Sequence, residues 1–415
     1  MSKVSQLAVL LKGLHVADLG RDRSGTLRLR YVKNTPISLS LPAEMEIFTS
    51  SVVSRWLRAL LPENETVLAA TERLYGLQRN DIMDFLRVMG RDCAGAVQFC
   101  EPDDIEATIN RQGALHPVSD TEIERRLAEM ELDEAVSWTM PGENWSLGGY
   151  QQKFALRRQD NQWFLASGSE PTTHIVKPGV RHLRLNALIE HISMATAHRV
   201  GLNTAETSYD TFVSQDALVV TRFDRVERDG YVSRIHQEDL CQAMGAVQKY
   251  ESLGGPSVAD VVRFLRSQST SASAERANVH AFVDAVIFNT VIGAPDAHLR
   301  NYAIHLNHNG PHMTPLFDVA TGLAYDSRQS RKVCMSIGGV WVLDDINDDA
   351  WKRFAGELAL DEDRVLARVR ELAARVIDES RTVISELATV EYIAEVEDRL
   401  VVNLENHARR IGGLA

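Results

Sequence analysis

Apolar and polar residues alternate near the start of the chain, and the pattern becomes helical further on. Residues 7–31 contain short alternating segments separated by glycines, which predicts short strands. Asn80-Asp81 then precedes an apolar run at helical spacing that Gly90 ends. The tetrapeptide Ser119-Asp120-Thr121-Glu122 has the sequence of a capping box, so we expect a second helix to begin there.

The middle of the chain predicts a mixture of strands and helix, and the last part predicts helices. Strands are expected at residues 153–156, 163–165, 174–177 and 217–221, around one helix at 185–199. From residue 237 onward strand signals almost vanish, and helices are expected at 239–244, 258–267, 276–292, 351–358, 362–380 and 391–410, with a flexible loop at 267–273. The pattern therefore predicts an α+β fold with a strand-rich N-terminal half and an all-helical C-terminal lobe.

Composition narrows the class of protein. The chain has 415 residues, 44% of them hydrophobic and 25% charged, which is ordinary for a soluble protein of two or three domains. A net charge of −12 argues against broad binding of nucleic acid or anionic membrane by this chain alone. Four scattered cysteines without a C-x-x-C pair predict neither a zinc site nor a disulfide framework. The first 16 residues lack a cleavage site and no long apolar run follows, so we expect a cytoplasmic protein without a membrane span.

The strongest chemical signal lies in the second half, where Asp296 is followed by Asn301 and later by Asp318. Kinases use this spacing for a catalytic base and two Mg²⁺ ligands. The first carboxylate accepts a hydroxyl proton, while the amide oxygen and the second carboxylate tie the metal to the phosphates. Taken alone, the same residues also describe a helix ending at Ile292, followed by a polar loop and a turn.

Weaker signals upstream occur in the order that a kinase requires. Gly148-Gly149 precedes a strand, and adjacent glycines let backbone N–H groups approach phosphate oxygens, although such a pair is more often a hairpin turn. Lys177 ends an apolar strand and could neutralise phosphate charge, or could be an ordinary solvated strand end. Glu190 on the following helix could pair with Lys177. A loop, a lysine, a glutamate, a base and two metal ligands in this order favour a bilobal, protein-kinase-like fold.

The chain resembles the HipA family of serine/threonine kinases, the toxins of bacterial HipBA-type toxin–antitoxin pairs, over nearly its whole length. The stretches that carry the resemblance are 36–42 (PISLSLP), 60–63 (LLPE), 90–97 (GRDCAGAV), 146–153 (SLGGYQQK), 172–177 (TTHIVK), 222–225 (RFDR), 236–242 (HQEDLCQ), 249–251 (KYE), 254–256 (GGP), the D-x-H-x-x-N set at 296–301 and the segment at Asp318.

The resemblance implies a role for each matching residue. For ATP, it implies a loop that surrounds the phosphates, made of Gly148, Gly149, Tyr150, Gln151, Gln152 and Lys153. Lys177 would contact the phosphates directly. The hinge that binds adenine would be Thr221, Arg222 and Phe223, and Gln237 would lie near the nucleotide. The roles implied for catalysis are Asp296 as base, Asn301 and Asp318 as Mg²⁺ ligands, and His298 as a residue that orients the loop. Ser146 matches the family's autophosphorylated serine, although a loop serine without the resemblance could simply cap a turn.

Three departures from the family pattern are present. Thr221 stands where a glutamate usually precedes Arg-Phe-Asp-Arg, so any contact of that side chain is lost. Pro295 precedes the base and restricts Ala294 to extended backbone. Ile189 precedes Glu190 where the family's helix begins with Asn-Glu. Asp318 is followed by Val319, so there is no D-F-G, which fits the family and separates it from eukaryotic-type protein kinases. None of these removes the base, a metal ligand or the phosphate lysine, and we expect an active enzyme.

The resemblance also implies an organisation and partners. We expect an N-terminal HipA-type subdomain at 1–110, a β-rich kinase N-lobe at 111–224 and a helical lobe at 225–415. The expected partners are a HipB-like helix-turn-helix antitoxin, operator DNA contacted mainly through that antitoxin, and a protein substrate such as an aminoacyl-tRNA synthetase. Two alternatives stay open: a small-molecule kinase of the same fold, and a non-catalytic nucleotide-binding subunit of an antitoxin–operator complex.

Overall fold

The strands predicted at the start of the chain are present in the structure, a computed structural model that describes residues 6–45, 47–49, 51–325 and 331–414. Contacts divide the chain into two compact units. The first contains the described residues up to Arg181 together with Tyr209–Glu238 and Gln242–Gly245, and the second contains His182–Ser208, Asp239–Cys241 and the described residues from Ala246 onward. The expected domain boundaries at residues 110 and 224 stay a prediction.

The first unit begins with an antiparallel sheet. Its elements are strands β1 (Gln6–Leu11), β2 (Leu14–Arg21), β3 (Leu27–Tyr31), β4 (Ile47–Thr49), β5 (Asp92–Cys93) and β6 (Val97–Cys100) and helices α1 (Ser51–Arg58), α2 (Glu65–Tyr75) and α3 (Ile82–Met89). The sheet order is β4-β3-β2-β1-β6, and α1 and α3 cover one face. Leu7 and Val9 enter that core, whereas Ala8 and Leu10 pack against Cys100 on the other face. Burial on both faces explains why β1 is almost continuously apolar.

A second sheet completes the first unit. This part of the chain contains strands β7 (Gly113–Val118), β8 (Trp145–Ser146), β9 (Phe154–Gln159), β10 (Gln162–Gly168), β11 (His174–Lys177), β12 (Thr207–Phe212), β13 (Gln215–Thr221), β14 (Arg225–Arg228) and β15 (Tyr231–Arg234) and helices α4 (Ile105–Ile109) and α5 (Asp120–Leu132). Outside the second sheet, β8 pairs with β5, and β14 pairs with β15. The strand order of the second sheet is β12-β13-β11-β9-β10-β7, so β11 lies between two antiparallel neighbours. Ser119 and Glu122 form the predicted capping box, and Ile123 and Leu127 of α5 pack into the core with Phe154. All four strands predicted in this region are confirmed.

The second unit is built mainly of helices. They are α6 (Asn186–Arg199), α8 (Val258–Gln268), α9 (Ala272–Ile292), α10 (Asp348–Glu357), α11 (Glu362–Glu386) and α12 (Ile393–Ile411), while β16 (Gln237–Asp239) and α7 (Leu240–Ala243) fall where the two units alternate along the sequence. α11 packs against α6, α9, α10 and α12. Every residue from Ala285 to Ile292 is buried, so the last turns of α9 are buried on all sides, as expected of a core helix.

The α+β class is confirmed, but two predictions for the second half are wrong. The half is not all helical, since it contains two hairpins made of β17 (Ala303–Asn307) with β18 (Gly310–Met313) and β19 (Lys332–Ile337) with β20 (Val340–Val342). Strands of three to six residues carry too little periodicity to be recognised from sequence, and β18 is held by packing on α9. The loop expected at 267–273 is shorter, because Ser271 caps α9. No helix in the described ranges combines the length and apolar character needed to span a bilayer.

Candidate functional site

The loop between α9 and β17 carries the predicted base. α9 ends at Ile292 as predicted, and Gly293 follows in a left-handed conformation with φ +70°. A Cβ added at Gly293 would lie 2.6 Å from Leu323 Cγ, so the position requires glycine for both its backbone and its lack of space. The chain then turns through Asp296 into a short 3₁₀ turn at Leu299–Asn301.

Asp296 and Asn301 are joined within this loop. Asn301 Nδ2 donates to the carbonyl oxygen of Asp296 at 2.7 Å, and the His298 N–H donates to the same carbonyl at 2.9 Å. The backbone N–H of Asn301 donates in turn to His298 at 2.9 Å. Because the amide nitrogen of Asn301 is engaged, its oxygen is the atom that could bind a cation.

The Asp296 carboxylate is accessible and lies among charged and polar neighbours. Its side chain is 71% exposed, the Tyr250 hydroxyl donates to Oδ1 at 3.3 Å, and His298 Nε2 lies 4.0 Å from Oδ1. Loss of part of its hydration to the surrounding protein raises the pKa of Asp296, opposed by His298 and Lys249 and reinforced by the negative charge of Asp318. An accessible carboxylate with a raised pKa has the properties of a general base.

His298 supports the loop from inside. Its side chain is buried, and its ring meets that of Tyr250 edge-on with centroids 5.2 Å apart. Burial lowers the pKa of His298, so the imidazole is neutral near pH 7. Ring nitrogen Nδ1 is buried and has no hydrogen-bond partner among the residues that the structure describes. The geometry fits the predicted loop-orienting role.

The segment that contains Asp318 is held in place by contacts before and after that residue. Leu316 forms a parallel bridge with Thr204, just after α6. On the other side of Asp318, the Thr321 N–H donates to Ser193 Oγ at 3.1 Å and the Thr321 hydroxyl donates to the Ile292 carbonyl at 2.6 Å. The segment is therefore held between α6 and the end of α9.

The donors at Asp318 and Asn301 fit Mg²⁺. Asp318 has φ +60°, a left-handed conformation that is unusual for a residue other than glycine and that the clamped segment maintains. A carboxylate and an amide oxygen are hard donors, and Mg²⁺ in kinases completes its coordination with phosphates and water. Within the described ranges, no group of three or more His, Cys, Asp or Glu side chains is placed to hold a metal ion. A Mg²⁺ ion at Asp318 and Asn301 would therefore need phosphate and water ligands as well.

The predicted phosphate loop is packed against the segment that follows α1. A Cβ at Gly148 would lie 2.3 Å from the Ala59 carbonyl oxygen, and Gly149 has φ +99°. The Gly149 carbonyl accepts the Glu63 N–H at 2.8 Å, and Lys153 Nζ donates to the Gly148 carbonyl at 2.8 Å. The glycine pair is therefore required by packing and by backbone conformation, and it does not form the simple hairpin turn that a Gly-Gly pair usually indicates.

The remaining members of this loop differ in exposure. Tyr150 is 67% exposed, and Gln151 is half-buried. Gln152 is buried and donates to the Asp133 carbonyl at 3.2 Å. Ser146 is 1% exposed and donates to the Leu60 carbonyl at 2.6 Å. Phosphorylation of Ser146 would thus require this strand end to leave its place.

Lys177 and the predicted hinge lie at the ends of adjacent strands. Lys177 is buried at the end of β11, which excludes the solvated strand end considered above. Thr221 ends β13, pairs with His174 and is half-buried, as is Phe223. Between them, the Arg222 N–H donates to Thr173 and its carbonyl accepts from Arg225, so protein contacts already use both backbone groups of Arg222.

The Arg222 side chain belongs to a buried ionic network that sequence reasoning did not identify. The network consists of Asp92, Arg222, Asp224, Arg225 and Arg234. Arg225 lies 2.8 Å from Asp92, Arg222 lies 2.8 Å from Asp224, and Arg234 lies 2.9 Å from Asp92. Burial alone would raise the pKa of Asp224, but the two adjacent guanidinium groups lower it to about 2. The only sequence signal for the network was the charged residues inside the GRDC and RFDR stretches. Charged residues usually lie at the protein surface, so their burial could not be predicted from these stretches.

Gln237 is held beside this network. Its Nε2 lies 3.5 Å from Asp224 Oδ2, at the limit of a hydrogen bond, and its Oε1 is buried without a partner among the described residues. The phosphate loop, Lys177, the hinge segment and Gln237 all belong to the first unit, whereas Asp296, His298, Asn301 and Asp318 belong to the second. The predicted nucleotide-binding residues and the predicted catalytic residues are therefore divided between the two units.

Comparison with known proteins supports one family across the chain. The model for the HipA-like C-terminal domain matches residues 145–380, and that for the HipA N-terminal domain matches residues 7–100. A putative kinase, Y4mE, of Sinorhizobium fredii is 32% identical over 411 residues, which cover 94% of this chain and 96% of that protein. The serine/threonine-protein kinase toxin HipA of Shewanella oneidensis is 27% identical over 435 residues, covering 98% of this chain and 96% of the relative.

A solved structure agrees with these matches. It is the Shewanella oneidensis complex of HipA, HipB and operator DNA, with a TM-score of 0.80 and 25% identity over 98% of this chain and 99% of that one. The domain matches, the full-length relatives named as kinases and the shared fold lead to one conclusion: the chain belongs to the HipA family and is a kinase.

Proposed function

We propose that the chain is an ATP- and Mg²⁺-dependent protein serine/threonine kinase that acts as the toxin of a toxin–antitoxin pair. The observation that carries this proposal is the hydrogen bond from Asn301 Nδ2 to the Asp296 carbonyl within one loop. Asp318 is close enough for its charge to raise the pKa of Asp296. The full-length similarity to a relative named as a serine/threonine-protein kinase toxin supports the same function.

In the proposed reaction, the acceptor hydroxyl oxygen attacks the γ-phosphorus of ATP, and the bond from that phosphorus to the β,γ-bridging oxygen breaks. Asp296 accepts the hydroxyl proton, and ADP leaves. Asn301 Oδ1 and the Asp318 carboxylate would hold Mg²⁺, which offsets negative charge on the phosphates when bound. His298, neutral and buried, keeps the loop that carries Asp296 in place.

The first unit would supply the nucleotide contacts. Backbone groups of residues 148–153 would face the phosphates, and the buried ammonium of Lys177 would neutralise part of their charge. Adenine would meet the hinge through Thr221 and Phe223, because protein contacts already use the backbone of Arg222. Gln237 Oε1, buried without a partner among the described residues, is a candidate contact with the nucleotide.

Ser146 would make the enzyme self-limiting. A phosphoryl group adds about −1.5 to −2 charge units at neutral pH, and the position that Ser146 occupies is closed to solvent. A phosphorylated Ser146 could not return to the Leu60 carbonyl, so the phosphate loop would leave its packed position and ATP affinity would fall.

The proposed partners follow the similar complex, which contains HipB and operator DNA. We propose that this chain binds a helix-turn-helix antitoxin and reaches operator DNA mainly through it, in keeping with a net charge of −12. Its substrate would be a protein involved in translation, such as an aminoacyl-tRNA synthetase. The proposed location is the cytoplasm.

Phosphoryl transfer from labelled ATP to proteins of a cell extract tests the function. Asp296→Asn and Asp318→Ala are expected to abolish transfer while the chain stays folded, because both residues are exposed and serve chemistry and not the core. Asp349→Asn, a change at an aspartate whose side chain is 78% exposed, is the matched control and should be fully active. Wild-type transfer by a folded Asp318→Ala chain would contradict the proposal, and label appearing only in small molecules would favour a small-molecule kinase.

A further inference from the structure

The segment Lys249–Glu251 lies against the loop that carries Asp296. The Lys249 carbonyl accepts the Leu299 N–H at 3.1 Å, which ties one end of the segment to the catalytic loop. The Glu251 carboxylate accepts from the Ser336 N–H at 2.7 Å and from its hydroxyl at 2.8 Å, which ties the other end to β19. The segment is therefore fixed on both sides of Tyr250.

Tyr250 is turned toward the predicted base. Its hydroxyl donates to Asp296 Oδ1 at 3.3 Å, and its ring packs edge-on against His298 at an interplanar angle of 79°. These are two separable contacts, because the ring supports the loop and the hydroxyl contacts the carboxylate. An aspartate that is 71% exposed has little packing to fix its orientation, so a hydrogen bond to one oxygen can select its rotamer.

Strand β19 holds the same loop from a second point. The Cys334 thiol donates to the Pro295 carbonyl at 3.0 Å, directly before the base. With Pro295 and Leu299 both fastened, the backbone of Asp296 is fixed and its side-chain torsions are what remain to be set. The Tyr250 hydroxyl donates a hydrogen bond to that carboxylate and can therefore set those torsions.

We propose that Tyr250 is a positioning residue for phosphoryl transfer: its hydroxyl holds Asp296 Oδ1 and leaves Oδ2 as the oxygen that takes the acceptor proton. The segment Lys249–Glu251 is the brace that holds Tyr250 in place. This inference rests on the proposed role of Asp296 as the base.

The test is the steady-state rate of ADP release by the chain with ATP, Mg²⁺ and a cell extract that supplies the hydroxyl acceptor, above the release by the extract alone, measured for wild type and Tyr250→Phe. The phenylalanine keeps the ring contact with His298 and removes only the hydroxyl. We expect kcat to fall about tenfold while KM for ATP and the melting temperature stay unchanged, because a misoriented base impairs the chemical step and not nucleotide binding. Tyr325→Phe is the matched control, since it also removes a hydroxyl hydrogen bond in the second unit, to the Arg184 carbonyl at 3.1 Å.

The outcomes separate this inference from the proposed function. An inactive Asp296→Asn chain beside a Tyr250→Phe chain with wild-type kcat would overturn the positioning role alone. A wild-type chain that releases no ADP, or an Asp296→Asn chain with undiminished kcat, would overturn the proposed function and the inference with it. A Tyr250→Phe defect confined to KM or to the melting temperature would show a merely structural residue, and an equal kcat loss in Tyr325→Phe would contradict the specific contact.

Discussion

Replacing Asp92 with Asn removes the centre of the buried ionic network while keeping the shape of the side chain. Oδ1 of Asp92 accepts from Arg225 at 2.8 Å and from Arg234 at 3.0 Å, and Oδ2 accepts from the Thr172 hydroxyl at 2.7 Å. The side chain is 2% exposed, so water cannot replace the lost charge. In the variant, Asp224 would be the remaining carboxylate of the network, beside Arg222 and Arg225, and Arg234 would lose the carboxylate that it contacts.

The expected cost follows from burial. Removing one partner of a buried ion pair costs about 3–5 kcal/mol, because the other charge is left without compensation. A domain is stable by only about 5–15 kcal/mol, and each kcal/mol shifts the melting temperature of a unit of this size by about 2–4 °C. We therefore expect the first unit of Asp92→Asn to melt about 10 °C lower. The control is Asp104→Asn, whose carboxylate is 40% exposed beside Arg91 and should cost less than about 1 kcal/mol.

Urea unfolding followed by tryptophan fluorescence can measure this loss. The tryptophans of the first unit are Trp56, Trp138, Trp145 and Trp163, out of 6 in the chain, so the signal reports mainly on that unit. The first transition should move to lower urea in Asp92→Asn and stay in place in Asp104→Asn. Equal midpoints for Asp92→Asn and wild type, or equal losses in the two variants, would refute the reasoning.

The difference in stability between wild type and Asp92→Asn should depend on pH. Burial alone would raise the pKa of Asp92, but the guanidinium groups around it, Arg225 foremost, lower the pKa well below its ordinary value. A group with a depressed folded pKa contributes stability above its unfolded pKa of about 3.9 and loses it as pH falls toward the folded value. The stability difference between wild type and Asp92→Asn should therefore be constant near neutral pH and shrink below about pH 4.

Two further predictions concern the candidate site. Gly293→Ala places a Cβ 2.6 Å from Leu323 on left-handed backbone, so it should destabilise the second unit by about 1–3 kcal/mol, and an unchanged melting temperature would contradict the packing argument. Incubation with Mg²⁺-ATP should slowly phosphorylate Ser146 and weaken nucleotide binding, as measured by mass spectrometry and titration. A Ser146→Ala chain should keep its affinity, and an active wild-type chain that stays unmodified would rule out the switch.

Signals that depend on neighbouring residues were sufficient to predict most of the helices and strands. The capping box at Ser119, the end of α9 at Gly293 and strand β11 all match their predictions, because caps and periodicity act over a few residues. The hairpins after residue 300 were missed for the complementary reason. Strands this short are stabilised by what they pack against, and that partner is not visible in their own sequence.

In the candidate site, too, residues close in sequence could be predicted together, and contacts between distant residues could not. Asp296 and Asn301 were predicted together because five positions separate them in one loop. Their association with Asp318 depends on the bridge between Leu316 and Thr204, which no spacing indicates. The contact from Tyr250 to Asp296 spans 46 positions, and its only sequence signal was a tripeptide with no assigned role.

The sequence by itself determined the fold class, the family resemblance and the order of the chemical groups, since these depend on residue types and on spacing over short distances. Only the tertiary structure decided that Ser146 is closed off from solvent, that Arg222 serves an ionic network and that Asp92 lies at its centre. Asp92 and Arg225 are 133 positions apart, and whether two such charges meet depends on the path of the whole chain between them. Burial then sets their energetic weight, because the same charges exposed to water would contribute little.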